Sequence, residues 1–231
     1  MRISAKDLGW LAESDFCPRD FWIERHAKAL PFQMGFPGIF SSIDAYTKDI
    51  VERYFERNRR LPGWLGVIGD VKRILRIKAS EFKTSRGDAT LTGIPDLMFQ
   101  RPDDSFTIVD YKTAKYTGNQ DSLMPIYEVQ LNGYAYIAEA LGYAPVKDLY
   151  LVYFEPPYRE VYEQISEKNT DHEGFSMPFR PKIHMIRKDM KGVERLLDEA
   201  ERIYKEERPP AGKASCKECE RLKAVIDISN A

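Results

Sequence analysis

The sequence predicts an α/β fold with a mixed central sheet flanked by helices, and three observations lead there. Apolar residues recur at helical spacing in 38–60 and 124–141, whereas 89–100, 105–113 and 148–155 alternate or run apolar over strand-like lengths. With a further strand at 71–83, the order is helix, three strands, helix, strand, which layers helices on one mixed sheet. Finally, 231 residues with 43% hydrophobic content can close one sizeable core. A single domain over 1–231 is expected, with its core at about 36–155 and appendages at 1–35 and 208–231.

Each element has its own warrant. Residues 3–30 have helical spacing, interrupted at Cys17-Pro18 because the residue before a proline is pushed out of the helical region. PFQMGFPG, 31–38, reads as a loop. In helix 38–60, Ile39, Ile43, Tyr46, Ile50 and Tyr54 form the stripe expected to pack on the sheet. A second row, Phe40, Asp44, Val51 and Phe55, sets an acid on an apolar side. Residues 71–83 predict a strand, although Val71, Ile74, Leu75 and Ile77 leave a helix open for the first part. The strands 89–100 and 105–113 pair as a hairpin through the RPDD turn.

Helix 124–141 carries Ile126, Tyr127, Tyr134, Ile137 and Leu141 in one stripe, and DLYLVYFE, 148–155, is a strand with large residues on both faces. The polar stretch 156–178 reads as a loop. A strand at 180–187 and a helix at 190–207 follow, the latter stopped by Pro209-Pro210. The linker AGKAS then leads to CKEC.

No apolar run follows the first residues, and no stretch approaches the roughly 18 apolar residues of a membrane span, so a cytoplasmic protein off the membrane is expected. A net charge of -1 hides an asymmetry: residues 1–86 hold 16 basic and 11 acidic residues, against 19 and 25 in the remainder. Between 57 and 86, Arg57, Arg59, Arg60, Lys72, Arg73, Arg76, Lys78, Lys83 and Arg86 face only Asp70 and Glu81. Such a segment either attracts a phosphate backbone or forms a solvated face. Three cysteines, two of them spaced Cys-x-x-Cys, argue against a disulfide framework in a cytoplasmic chain and for metal or cluster ligation.

Candidate site residues stand out because polar groups intrude on apolar elements. Along 106–112, Phe106, Ile108, Asp110 and Lys112 share one face and Thr107, Val109 and Tyr111 the other, as in an inner strand buried on both sides. An acid and a lysine at its end are costly to bury unless partnered, and Asp96 lies on the paired strand. Two converging carboxylates repel, and a divalent cation such as Mg²⁺ relieves the repulsion. Lys112 would then face whatever the cation carries. The alternative is an Asp110–Lys112 ion pair, with Asp96 merely ending a strand. Gln130 and Tyr134 in the 124–141 stripe, and Asp44 on the earlier helix, add further polar groups to elements flanking the same strand.

The motifs GIPD (93–96), DYK (110–112) and QLNGY (130–134) stand in the order and spacing of the Gly-x-x-Asp, Asp-Tyr-Lys and Gln-x-x-x-Tyr motifs. Through them the chain resembles the PD-(D/E)XK nuclease superfamily, and more closely its RecB-type branch, which includes the nuclease domains of recombination helicases and CRISPR-associated exonucleases. The resemblance implies a restriction-endonuclease-like αβββαβ core. It also implies a Mg²⁺- or Mn²⁺-dependent DNA nuclease, an exonuclease on duplex ends or single strands in repair, recombination or defence. Asp96, Asp110 and the Tyr111 backbone carbonyl would be metal ligands, Lys112 would orient or activate the water, and Gln130 and Tyr134 would support the site or contact DNA. A silent nucleic-acid-binding module on the same fold and a structure-specific endonuclease are the alternatives.

Two departures from the branch follow. Its helix histidine is absent from 38–60, so Asp44 is the stand-in ligand, unless it pairs with a neighbouring lysine or arginine. Relatives with an iron-sulfur cluster use four cysteines. Cys17, Cys216 and Cys219 fit three of those positions, while Val225 stands near the fourth. Three thiolates leave open a cluster with a non-cysteine ligand, zinc completed by His26 or an acid, or packed reduced thiols. In the first two, the metal would clasp the two ends of the chain together.

Overall fold

Apolar residues on both faces of 106–112 require that strand to lie inside a sheet. The computed structural model describes residues 1–27, 38–114, 116, 123–156 and 170–230. Its strands are β1 (Arg2–Ser4), β2 (Arg73–Ile74), β3 (Lys83–Arg86), β4 (Ala89–Thr92), β5 (Leu97–Gln100), β6 (Phe106–Lys112), β7 (Val146–Glu155) and β8 (Arg180–Ile186). The helices are α1 (Ala5–Gly9), α2 (Pro18–His26), α3 (Gly38–Asn58), α4 (Met124–Ala140), α5 (Met190–Tyr204) and α6 (Lys217–Ser229), with 3₁₀ turns at Trp10–Ala12 and Gly63–Ile68.

The main sheet runs β2-β5-β6-β7-β8, parallel between β6 and β7 and antiparallel elsewhere. It is the mixed sheet flanked by helices that the sequence predicts. Helix α4 makes the crossover that two adjacent parallel strands require. Strand β6 divides two cores. Phe106 and Ile108 pack with Leu131, Ala135 and Ile137 of α4, whereas Val109 and Tyr111 pack with Val51 and Phe55 of α3 and Leu65 and Ile68 of the 3₁₀ turn. The alternation read along β6 therefore holds.

Four expectations change. The predicted stripe on 38–60 is not the buried one: Ile39, Tyr46 and Ile50 are exposed, while Val51 and Phe55 are buried. Two apolar rows lie side by side on α3, and hydrophobicity alone does not choose between them. The space between the 3₁₀ turn and the sheet takes the row that carries Asp44. Residues 89–100 are not one strand but β4 and β5 in different sheets, β4 joining β1 and β3 in a small sheet. Gly93 to Asp96 make the crossing, where Pro95 has no N–H to give a ladder.

The strand expected at 71–83 shrinks to Arg73–Ile74, with β3 starting at Lys83. At the N-terminus, 3–30 is not one interrupted helix: β1 pairs parallel with β4 before α1 begins. Three residues are too few to display a strand period. The break at Cys17-Pro18 is where expected, with Cys17 extended and α2 starting at Pro18. The predicted loop at 31–38 lies outside the described residues except Gly38, which opens α3, as does most of the loop at 156–178. No helix among the described residues is long and apolar enough to cross a membrane.

Helix α1 is pressed onto α4. A Cβ on Gly9 would lie 2.6 Å from the Ile126 carbonyl oxygen, and one on Gly133 would lie 2.8 Å from the Ala5 Cβ. Backbone cannot yield as a side chain can, so glycine is required for this approach. Gly9→Ala should destabilise the protein by about 1–3 kcal/mol in urea unfolding. A loss below about 0.5 kcal/mol would show that α1 does not depend on this contact.

Candidate active site

The β5–β6 register pairs Leu97 with Val109. Carried one residue further, it sets Asp96 across from Asp110. Asp96 Oδ2 accepts the Tyr111 N–H at 2.6 Å, which fixes the carboxylate against the end of β6. Its Oδ1 lies 2.7 Å from Lys48 Nζ, and the same ammonium lies 2.7 Å from Asp44 Oδ2. Asp44 thus reaches Asp96 through a lysine, so the helix-acid pairing open from sequence is realised, but as a bridge between α3 and the sheet. Burial pushes the Lys48 ammonium toward neutrality, but its bonds to Asp44 and Asp96 outweigh this and raise its pKa.

Asp110 is 3% exposed. Lys112 Nζ lies 2.6 Å from Asp110 Oδ2 and donates to Gln130 Oε1 at 2.9 Å. The Lys112 ammonium is thus the charged partner of the buried Oδ2. Gln130 Nε2 donates to the Tyr134 hydroxyl at 2.6 Å and, at 3.4 Å, to Asp110 Oδ1. One amide therefore links the lysine, the acid and the tyrosine. Burial raises the Asp110 pKa, Lys112 opposes the rise and Asp96 adds to it. Gly93 keeps Tyr134 in place by having no side chain, since a Cβ there would come 2.5 Å from the ring Cε1.

Asp96, Asp110, Lys112, Gln130 and Tyr134 are therefore brought together, from three segments of the chain. Asp44 is adjoining but engaged by Lys48. Sequence reasoning missed Lys48 and Tyr127, whose ring lies 4.4 Å from the Lys112 ammonium. Lys48 has a signal in the Asp44-x-x-x-Lys48 spacing, which stacks the pair on a helix. Tyr127 had only its place three residues before Gln130.

The donor set can be tested against a divalent cation. Three carboxylates face two ammonium groups, and every available ligand atom is an oxygen, which suits a hard cation. In this arrangement Asp44, Asp96 and Asp110 do not converge as a triad. The sets of three ligand atoms within 4.8 Å among the described residues are Cys17, Cys216 and Cys219, and Asp20, Cys216 and Glu218. Asp96 and Asp110, set across from each other by the strand register, are the candidate pair, with Lys48 between Asp96 and Asp44.

The cysteines converge from both ends of the chain. Cys17 and Cys216 are the N-cap residues of α2 and α6, and Cys17 Sγ is 3.7 Å from Cys219 Sγ. The Lys213 N–H points at Cys17 Sγ and the Cys219 N–H at Cys216 Sγ. Helix N-termini and amide hydrogens favour thiolate. Burial raises the Cys17 pKa, but amide hydrogen bonds from Lys213 and Asp20 and those from Cys216 and Cys219 bring it below its ordinary value. His26 is not part of this cluster: its ring stacks between Trp22 and Tyr204, and its Nδ1 is 2.8 Å from the Trp22 carbonyl. The acids that adjoin the thiols are Asp20 and Glu218.

The basic segment is partly neutralised. Lys72 pairs with Asp104, Arg76 with Glu56, Lys78 with Glu81, and Arg86 with Asp198. Arg57, Arg59, Arg60, Arg73 and Lys83 are exposed and form no ion pair among the described residues, Arg73 donating instead to the Gln100 side chain. The positive field read from 57–86 is weaker than its composition suggests.

No curated protein matches the chain significantly. A model of the PD-(D/E)XK nuclease superfamily matches residues 19–223. That span holds α3, the whole main sheet, α4 and all five converging residues. The sheet order agrees with a restriction-endonuclease-like core, and over most of its length the chain belongs to the PD-(D/E)XK nuclease superfamily.

Proposed function

We propose that the protein is a Mg²⁺- or Mn²⁺-dependent deoxyribonuclease of the RecB-type branch, a cytoplasmic exonuclease hydrolysing phosphodiester bonds at DNA ends or in single strands. The observation that carries this reading is the buried Asp110, paired with Lys112 and set across from Asp96. Asp96, Asp110 and the Tyr111 carbonyl would hold the cation. When bound, it supplies Lewis acidity to a phosphoryl oxygen and lowers the pKa of water.

The remaining chemistry belongs to the protein's own groups. Lys112 is restrained by Asp110, Gln130 and the Tyr127 ring, so its ammonium can orient a water without swinging into solvent. Gln130 fixes that ammonium through its carbonyl and uses its amide on Tyr134 and Asp110, so its orientation is determined. Tyr134, beside Gly93, supports this network from the adjoining turn. Arg57, Arg59, Arg60 and Lys83 are available to the phosphate backbone.

A second reading, a module that binds nucleic acid without cleaving it, draws on Lys48: its ammonium already neutralises Asp96 and Asp44. Purified protein with labelled linear and circular DNA, with and without Mg²⁺, separates the readings. Mg²⁺-dependent degradation of linear DNA is expected, and Asp110→Ala and Lys112→Ala should each lower it by about 10³-fold or more. Binding without cleavage would establish the module, and cutting of closed circles an endonuclease.

Cys17, Cys216 and Cys219 are further proposed to hold a metal that staples α2 to α6, with Asp20 or Glu218 as the available non-cysteine ligand. Anaerobically purified protein should carry iron with visible absorbance, or colourless zinc, and Cys216→Ser should lose it along with thermal stability. Wild-type protein free of both metals would reduce the three residues to packed thiols.

A further inference from the structure

We propose that Lys48 is a built-in counter-ion that a divalent cation must displace, so that this residue sets how tightly the site binds its cation. The inference rests on the cation reading of Asp96 and Asp110 above.

Both oxygens of Asp96 are engaged. Oδ2 holds the Tyr111 N–H and Oδ1 holds Lys48, each below 3 Å. The backbone donor is fixed by the sheet, so the lysine is the partner that can leave. Its side chain is 31% exposed, against 14% for Asp96, which gives the ammonium a path into water while the carboxylate stays in place. Asp44, 42% exposed, can follow Lys48 outward or be released toward the site.

An ordinary helix pair at i,i+4 spacing would involve Asp44 alone. Lys48 instead spans two elements and places a single positive charge on an oxygen that a doubly charged ion would need. Two such charges cannot share that oxygen without strong repulsion, so the occupants exclude each other. In the absence of a divalent ion, Lys48 keeps the acids neutralised and α3 docked on the sheet. That neutralisation lowers the net affinity for the incoming ion, because the Lys48 contacts must be given up first.

The test is Mn²⁺ titration of the full chain without DNA, read by electron paramagnetic resonance of free Mn²⁺. Lys48→Met keeps the stem and removes the charge, and should bind Mn²⁺ about tenfold tighter than wild type, the worth of one partly buried ion pair. Lys48→Arg should stay near wild type. In EDTA, Lys48→Met should melt below wild type and gain more from added Mn²⁺. Folded Lys48→Met with equal or weaker Mn²⁺ affinity overturns the proposal.

A measurement on wild type guards against misfolding of the variant. Acetylation of Lys48, followed by mass spectrometry, should quicken when Mn²⁺ saturates the protein; a rate unchanged or slowed overturns the proposal equally. Mn²⁺ binding that Asp110→Ala abolishes but Lys48 does not influence removes this inference alone. No Mn²⁺ binding by wild type or Lys48→Met removes the cation reading itself.

Discussion

A carboxylate at the end of a strand buried on both faces must be matched by positive charge, and the site is organised by that requirement. Water cannot solvate Asp110, which is 3% exposed, so its charge depends on Lys112 and on any cation within reach. Lys112 is itself restrained by Gln130 and lies by the Tyr127 ring. Across the strand pair Asp96 meets the same requirement with Lys48 and a backbone N–H. Two ammonium groups for three acids leave a net negative charge in a partly dry place, the electrostatic condition under which a divalent ion binds.

The sheet explains why the two lysines come from different sides. Side chains alternate along β6, so Asp110 and Lys112 face α4, whereas Tyr111 faces α3. Asp96 precedes β5 and is free of that alternation. Its carboxylate touches the Tyr111 amide and turns toward α3, where Lys48 waits. The site therefore straddles the end of the sheet, with helices on both faces contributing. Packing of Val51 and Phe55 orients α3, so the core on that face also aims Lys48.

The cysteine cluster has a separate logic. Helices α2 and α6 begin at Cys17 and Cys216; against its burial, amide and thiol hydrogen bonds bring the Cys17 pKa down, whereas burial and the neighbouring sulfurs push the Cys219 thiol up to about 12. Sequence separation near 200 residues makes the contact a closure of chain ends. It lies on elements outside the main sheet.

Periodicity and motif spacing determined the mixed α/β core, the two-faced β6 and the grouping of Asp96, Asp110, Lys112, Gln130 and Tyr134, because alternation and helical repeat are local properties of the chain. They also determined the break at Cys17-Pro18. What they left undecided depended on packing between distant segments. Which of two adjacent rows on α3 is buried was settled by the space beside Leu65 and Ile68. The division of 89–100 between two sheets required β1 as a partner for β4, and three residues carry no readable period. His26 gave way to Asp20 and Glu218 beside the thiols because its ring is stacked between Trp22 and Tyr204. Lys48 was missed because its spacing from Asp44 signals no more than a helix pair, and only the docking of α3 against the turn at Asp96 made it a bridge, since a charge's partners are set by three-dimensional distance.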